Sequence, residues 1–173
     1  MNKEKIYTFL KSRNIWYEVT EHQAVFNMED LEKIKLPYPE YEAKNLFIRD
    51  DKKNNYYLIT VKKDKRLDLK AFQQQNNTRR LSFASADDLK NILNLIPGSV
   101  TPLGLLNDND LKVTFYLDKD LLEGKKIIGV HPNDNTATVW LKVSDLIDII
   151  KEHGNVVKIV EIWKIIFIKS EKY

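Results

Sequence analysis

The spacing of apolar and polar positions along the chain predicts an alternation of helices and strands. Apolar residues three and four positions apart are typical of amphipathic helices, and strict alternation is typical of half-buried strands. The helical pattern covers residues 3–13, 27–36, 67–75, 85–96 and 144–151. The strand pattern covers residues 15–19, 43–50, 56–61, 80–84, 113–117, 127–130, 138–143 and 156–162.

The order of these elements favours an α+β fold. Residues 43–50 and 56–61 flank the polar run DDKKNN, which predicts a β-hairpin. The other elements do not follow a strict βαβ order. We therefore predict a single domain over residues 1–162 with a mixed, mostly antiparallel sheet flanked by helices. Residues 163–173 are predicted to form a C-terminal extension.

Composition removes several classes of chemistry. The 173 residues include no cysteine, which excludes disulfides, thiol catalysis and zinc-cysteine sites. Three separated histidines, His22, His131 and His153, make a poor metal site, so neither a metal nor another cofactor is expected. The sequence has no apolar run of about 18 residues and no signal-peptide pattern, so we expect a cytoplasmic protein without membrane contact. A monomer is the expected state.

Basic residues are concentrated in one part of a nearly neutral chain. Residues 49–80 contain ten Lys or Arg and four Asp, although the whole chain has a net charge of only +3. Such a segment can face nucleic-acid phosphates, and it can equally be a solvated surface. The candidate phosphate contacts are Lys62, Lys63, Lys65 and Arg66.

Three short motifs could carry chemistry, and each has a simpler structural explanation. Lys44 and Asn45 begin an apolar strand, where an ammonium and an amide could bind substrate or an oxyanion, or simply reach solvent. Residues 98–104 place hydroxyl groups between glycines, as a ligand-binding loop or a plain connection would. Residues 129–133 end a strand on Gly-Val-His-Pro-Asn, which is compatible with substrate contact or with an ordinary turn.

In this order and combination, the three motifs resemble the YbaK/ProX family of aminoacyl-tRNA deacylases. This family is related to the editing domain inserted in bacterial prolyl-tRNA synthetases. Residues 21–26 and 138–141 also match, and the resemblance covers about residues 1–162. The free-standing branch that hydrolyses Ala-tRNA(Pro) is the most similar. The sequence departs from the family at Asn27-Met28, where Thr-Val is frequent, and in the tail after residue 162.

The resemblance implies a trans-editing hydrolase that releases alanine from mischarged Ala-tRNA(Pro). It implies catalytic roles for Lys44 and Asn45. It also implies recruitment of the neighbouring ribose hydroxyl of the substrate itself. The implied substrate-binding residues are Gly98, Ser99, Thr101, Gly104, Gly129, His131 and Asn133. Cys-tRNA(Pro) as substrate, a non-catalytic aminoacyl-tRNA-binding module and docking on prolyl-tRNA synthetase remain open.

Overall fold

The computed structural model describes residues 1–162 as helices packed against two small sheets. The predicted extension at residues 163–173 lies outside this described part. The helices are α1 (Lys3–Ser12), α2 (Met28–Glu32), α3 (Leu69–Asn76), α4 (Ala86–Asp88) and α5 (Val143–His153). The strands are β1 (Tyr17–Glu21), β2 (Ala43–Asp50), β3 (Tyr56–Lys62), β4 (Leu81–Phe83), β5 (Val113–Asp118), β6 (Ile127–Val130), β7 (Ala137–Lys142) and β8 (Val157–Val160).

The described strands form a five-stranded sheet and a three-stranded sheet. The larger has the order β4-β2-β3-β5-β8, in which β2 pairs antiparallel with β3 and β4. Its β3–β5 and β5–β8 pairs are parallel. The smaller sheet, β1-β7-β6, is antiparallel throughout. A parallel bridge between Glu42 and Gly129 connects the two sheets. The predicted α+β class, the 43–50/56–61 hairpin and the mostly antiparallel pairing are confirmed.

Apolar residues cover both faces of the larger sheet. On one face, Phe47, Leu58 and Phe115 join a core with the inner sides of α1 and α5. Helix α5 buries Val143, Leu146, Ile149 and Ile150, the spacing expected of one helical stripe. On the other face, Phe72 of α3 packs edge-on against Tyr116, with ring centroids 4.9 Å apart. Each fully buried side chain of this kind contributes about 1.5–3 kcal/mol.

The predicted helix at 85–96 is shorter than its apolar pattern. Ser85 caps α4 through a reciprocal bond pair with Asp88, and a π-helical turn, Leu89–Leu93, follows. Asn94 then adopts a left-handed conformation with φ of 51°, which ends the helix. The apolar residues beyond it pack inward from a 3₁₀ helix, Pro102–Asn107. The chain between these helical segments carries Gly98 and Val100 to the candidate site.

None of the helices formed by residues 1–162 combines the length and apolar character needed to cross a bilayer.

Candidate functional site

A cavity of about 220 Å³ lies where the start of β2 meets the end of β6. The bridge between Glu42 and Gly129 joins the two strands at this point. The cavity is lined by Val25, Phe26, Asn27, Met28, Leu31, Glu42, Ala43, Lys44, Asn45, Gly98, Val100, Gly129, Val130, His131 and Thr138. The structure therefore brings together five of the predicted site residues: Lys44, Asn45, Gly98, Gly129 and His131.

One side of the cavity, the charged wall, consists of Glu42, Lys44 and Asn45 at the start of β2. Lys44 is half-buried, and its ammonium donates a hydrogen bond to the backbone carbonyl of Lys65. Burial, with a contribution from Arg66, lowers the pKa of Lys44, although Asp64 opposes the shift. The Asn45 Oδ1 accepts a hydrogen bond from the Thr60 hydroxyl at 2.7 Å. That bond leaves the Asn45 NH₂ group to donate toward a ligand.

Glu42 is the most deeply buried charged group of this wall, with only 5% of its surface exposed. The residue lines the cavity, and the groups that influence its carboxylate among residues 1–162, Lys63 and Glu32, act through their charge and not through a hydrogen bond. Burial raises the pKa of Glu42 to about 7. The charge of Lys63 opposes this shift, and that of Glu32 adds to it. The carboxylate is therefore a buried charge without a close counter-ion.

A second side, the neutral wall, consists of Gly129, Val130, His131 and Thr138 from β6, β7 and their connection. A Cβ at position 129 would lie 2.4 Å from the Trp140 ring, so only glycine fits between that ring and the cavity. The His131 Nδ1 lies 2.8 Å from the Ala137 carbonyl oxygen. That contact places the proton of the neutral ring on Nδ1 and leaves Nε2 as an acceptor. Burial lowers the pKa of His131, partly opposed by the Ala137 contact, so the ring is neutral at physiological pH.

The mouth of the cavity is apolar. Gly98 has a φ of +92°, which favours glycine, and a Cβ there would lie 3.1 Å from the Phe26 ring. Phe26 is 65% exposed although it lines the cavity, and Val25, Met28 and Leu31 continue the apolar surface inward. An aromatic ring at this place can pack against a nucleobase or a ribose.

Four predicted substrate-binding residues support the cavity without lining it. The Ser99 hydroxyl closes a turn by donating to the Ile96 carbonyl at 2.8 Å. Thr101 is fully buried and donates to the His131 carbonyl at 2.6 Å, so it positions the histidine. Gly104 packs against Leu95, where a Cβ would approach to 2.6 Å. Asn133 has a φ of 60° and donates to the carbonyls of Met1 and Leu103. Direct substrate contact by these four residues stays a prediction, because the structure shows them only in contact with the protein around the cavity.

The basic segment 62–66 divides into surface and interior residues. Lys62 and Lys63 are half-exposed, and Arg66 is exposed. Lys65 is only 5% exposed, and its ammonium lies 2.8 Å from Asp118 and 2.6 Å from Asp120. Burial alone would lower the pKa of Lys65, but the two carboxylates outweigh it and raise the pKa. Lys65 is therefore wrong as a phosphate contact, because its charge is neutralised inside the protein.

Glu42 and Thr138 line the cavity and were not among the predicted site residues. Glu42 carries no motif, and its position directly before a predicted strand gives no sign that an acid would be buried. Thr138 lines the neutral wall, and its hydroxyl lies 3.0 Å from the His22 Nε2. The segments 21–26 and 138–141, which match the family, were the available sequence signal for the part of the cavity around His22 and Thr138. Within residues 1–162, no group of three or more His, Asp or Glu side chains could hold a metal ion.

Comparisons with known proteins agree with this geometry. The sequence model of the aminoacyl-tRNA editing domain matches residues 22–149. Prolyl-tRNA editing protein ProX of Acetoanaerobium sticklandii is 41% identical over 160 residues, covering 92% of this chain and 97% of that protein. Prolyl-tRNA synthetase associated domain-containing protein 1 of Mus musculus is 34% identical over 145 residues, covering 80% and 83%.

The fold comparison gives the same picture. A crystal structure described as that of a candidate trans-editing enzyme for prolyl-tRNA synthetase superposes with a TM-score of 0.69. The alignment covers 94% of this chain and 96% of that one at 18% sequence identity. At this identity, the match supports the fold alone.

Proposed function

Because the chain belongs to the aminoacyl-tRNA editing domain family, we propose that it is a trans-editing hydrolase that releases alanine from mischarged Ala-tRNA(Pro). The enzyme class, aminoacyl-tRNA deacylase, follows from the family. The coarser substrate, mischarged tRNA(Pro), follows from the similarity to ProX over nearly the whole of both chains. Alanine as the amino acid removed is the finer part of the proposal.

The observation that carries the proposal is a small cavity with a lysine and an asparagine on one wall. Its volume of about 220 Å³ is below the roughly 300–1,000 Å³ of pockets for drug-sized ligands. A small aminoacyl group fits such a space, and the exposed Phe26 at its mouth offers a surface for the terminal nucleoside. A prolyl ring needs additional room beside the neutral wall, where the backbone of Gly129 and the His131 ring limit the space.

The chemistry required is modest because an aminoacyl ester is already activated. Lys44 supplies a positive charge beside the ester, where negative charge develops on the carbonyl oxygen during attack. Asn45 holds the acyl end through its NH₂ group. The family resemblance implies that the neighbouring ribose hydroxyl of the substrate takes part. A second sieve is needed because a synthetase that admits proline discriminates only weakly against a smaller amino acid.

The test is hydrolysis of Ala-, Cys- and Pro-tRNA(Pro) side by side. We expect rapid release of alanine, slower release of cysteine and protection of the prolyl ester. Preferential release of cysteine would identify Cys-tRNA(Pro), and not Ala-tRNA(Pro), as the substrate. Tight binding of Ala-tRNA(Pro) without hydrolysis would instead indicate a non-catalytic binding module.

We also propose that Lys62, Lys63 and Arg66 contact tRNA phosphates. Their exposure and shared charge support such contacts, which add salt-dependent affinity with little base specificity. Charge reversal at the three positions should raise KM with little change in kcat. An unchanged KM would mark these residues as a solvated surface.

Co-elution with prolyl-tRNA synthetase and the elution volume of the protein alone would test the expected partner and the expected monomer.

A further inference from the structure

Glu42 has no role in the chemistry described so far, although it is the residue of the charged wall with the strongest need for a partner. Glu42 lines the cavity with 5% of its surface exposed, and no donor among residues 1–162 forms a hydrogen bond with its carboxylate. Two charged groups influence it from a distance: Lys63, which is half-exposed, and Glu32, which has the same sign. A buried carboxylate in this situation is costly unless a ligand brings the missing positive charge.

Resting on the function proposed above, we propose that the Glu42 carboxylate binds the α-ammonium group of the aminoacyl ester. Among the described residues that line the cavity, Glu42 carries the only carboxylate, and Lys44 carries the only ammonium group. The substrate has the complementary pair, an ammonium group on the α-carbon and a carbonyl oxygen that becomes negative. The two substrate groups are separated by few bonds. Glu42 and Lys44 are also close together, because only one residue separates them in the chain.

The backbone gives this pairing a defined geometry. Glu42 is extended, with φ of −65° and ψ of 143°, and continues directly into β2. At about 3.3 Å per residue, the α-carbons of residues 42 and 44 are roughly 6.6 Å apart. The bridge to Gly129 fixes the backbone of Glu42 against the neutral wall. One aminoacyl group can therefore contact both charges while its side chain faces Gly129 and His131.

The test compares Ala-tRNA(Pro) with lactyl-tRNA(Pro), in which a hydroxyl group replaces the ammonium group without added bulk. The Glu42→Gln enzyme keeps the shape of the side chain and loses its charge. We expect kcat/KM for Ala-tRNA(Pro) to fall by roughly 10- to 100-fold, the range of a charge-assisted hydrogen bond. The kcat/KM for lactyl-tRNA(Pro) should change by less than about threefold. Comparing the variant with the wild type on each substrate cancels the different intrinsic reactivities of the two esters.

Glu40→Gln is the matched control, because Glu40 is exposed and does not line the cavity. It makes the same chemical change two residues away and should leave both reactions unchanged. An equal loss on both substrates in Glu42→Gln would overturn the proposal and indicate a general base. Unchanged hydrolysis of Ala-tRNA(Pro) by a folded Glu42→Gln protein would overturn it as well.

A binding measurement separates failure of this inference from failure of the proposed function. The probes are two hydrolysis-resistant amides of 3′-amino-3′-deoxyadenosine, one carrying an alanyl group and the other a lactyl group. We expect the wild-type protein to bind the alanyl amide roughly tenfold or more tightly than the lactyl amide. Such a preference without hydrolysis of Ala-tRNA(Pro) would uphold ammonium recognition and contradict the deacylase. Equal affinity for the two amides would overturn ammonium recognition, whether or not the protein is a deacylase.

Discussion

The two walls of the cavity are built on different principles. The charged wall projects polar side chains from the start of β2. Lys44 and Asn45 form hydrogen bonds with residues outside the cavity, and Glu42 has no hydrogen-bond partner among residues 1–162. The neutral wall offers the backbone of Gly129 and the His131 ring, both fixed by packing and by backbone hydrogen bonds. The charged wall is therefore suited to binding and catalysis, and the neutral wall to setting the size of the ligand.

The difference extends to what lies behind each wall. Behind the charged wall, Lys44 donates to the backbone of Lys65, whose own ammonium is held by Asp118 and Asp120. Behind the neutral wall, the Trp140 ring is fully buried and lies against Gly129. Electrostatic pairing thus supports one wall and apolar packing supports the other. Substitutions behind the two walls should therefore have different signatures.

The largest effect is expected from breaking the ion pair behind the charged wall. Lys65→Met removes the partner of Asp118, which is fully buried. Removing one member of a buried pair typically costs about 3–5 kcal/mol. Chemical denaturation should therefore show a loss of this size in the free energy of unfolding. Lys63→Met, at a half-exposed position in the same segment, should change it by less than about 0.5 kcal/mol. Similar stabilities for the two variants would contradict the division of the basic segment.

Removing the cation of the charged wall should affect the rate more than stability. Lys44→Ala deletes the positive charge beside the ester, and the loss of one such contact typically costs about 10²–10³ in rate. Single-turnover hydrolysis of Ala-tRNA(Pro) checks this, with circular dichroism to establish folding. Lys44→Arg should also be slow, because a planar guanidinium group does not replace a compact ammonium group.

Two controls sharpen this comparison between the walls. Lys52→Ala removes an exposed lysine from the hairpin turn and should leave the rate unchanged. His131→Ala opens the neutral wall and should alter the selectivity between Ala- and Pro-tRNA(Pro) more than the rate on the alanyl ester. Wild-type turnover by a folded Lys44→Ala protein would exclude this lysine from the mechanism.

Adding a side chain to the neutral wall should have a smaller effect, both on stability and on the size of ligand that the cavity accepts. A Cβ at position 129 would overlap the Trp140 ring, which cannot yield because it is buried. Overpacking of this kind costs about 1–3 kcal/mol, so the melting temperature of Gly129→Ala should fall. Gly124→Ala is a useful comparison, because its Cβ would meet the Tyr41 side chain at 3.2 Å. In that variant the strain comes from the backbone, whose φ of +67° favours glycine. A Gly129→Ala protein as stable as the wild type would show that Trp140 can move.

Much of the fold was predictable because its elements have strong local signals. The hairpin of β2 and β3 follows from two apolar runs around a polar turn, and α5 follows from its apolar stripe and the terminal Gly154. The division of the strands between two sheets depends on long-range pairing, such as β1 with β7, which no local pattern encodes. Predicted strand ends differ from the observed ones by at most two residues at β3, β7 and β8.

The candidate site was predictable only where its residues form motifs. Lys44, Gly98 and His131 lie in motifs and line the cavity. Glu42 was missed and Lys65 was misassigned for the same physical reason. Burial of a charged side chain is decided by residues distant in sequence, Asp118 in the case of Lys65 and the neutral wall in the case of Glu42. Composition and spacing do not show that environment.

The last effect concerns the pH dependence of stability caused by Glu42. Its carboxyl group has an ordinary pKa of 4.5 and a pKa of about 7 in the folded protein, because burial disfavours the charge. The folded state thus binds this proton more tightly than the unfolded state. The Glu42 contribution to stability is complete below about pH 4.5 and is lost as the pH rises through about 7. The cost is at most about 1.4 kcal/mol for each pH unit in that window.

Glu42→Gln removes this titration. The free energy of unfolding of the variant should therefore increase relative to that of the wild type as the pH rises from 4.5 to 7. Lys63, which favours the carboxylate, and Glu32, which opposes it, are present in both proteins. Denaturation of both proteins at several pH values measures the difference. A constant difference across the window would show that the carboxylate is already compensated in the free protein. A difference that disappears with the alanyl amide bound would link the buried charge to the ammonium group that neutralises it.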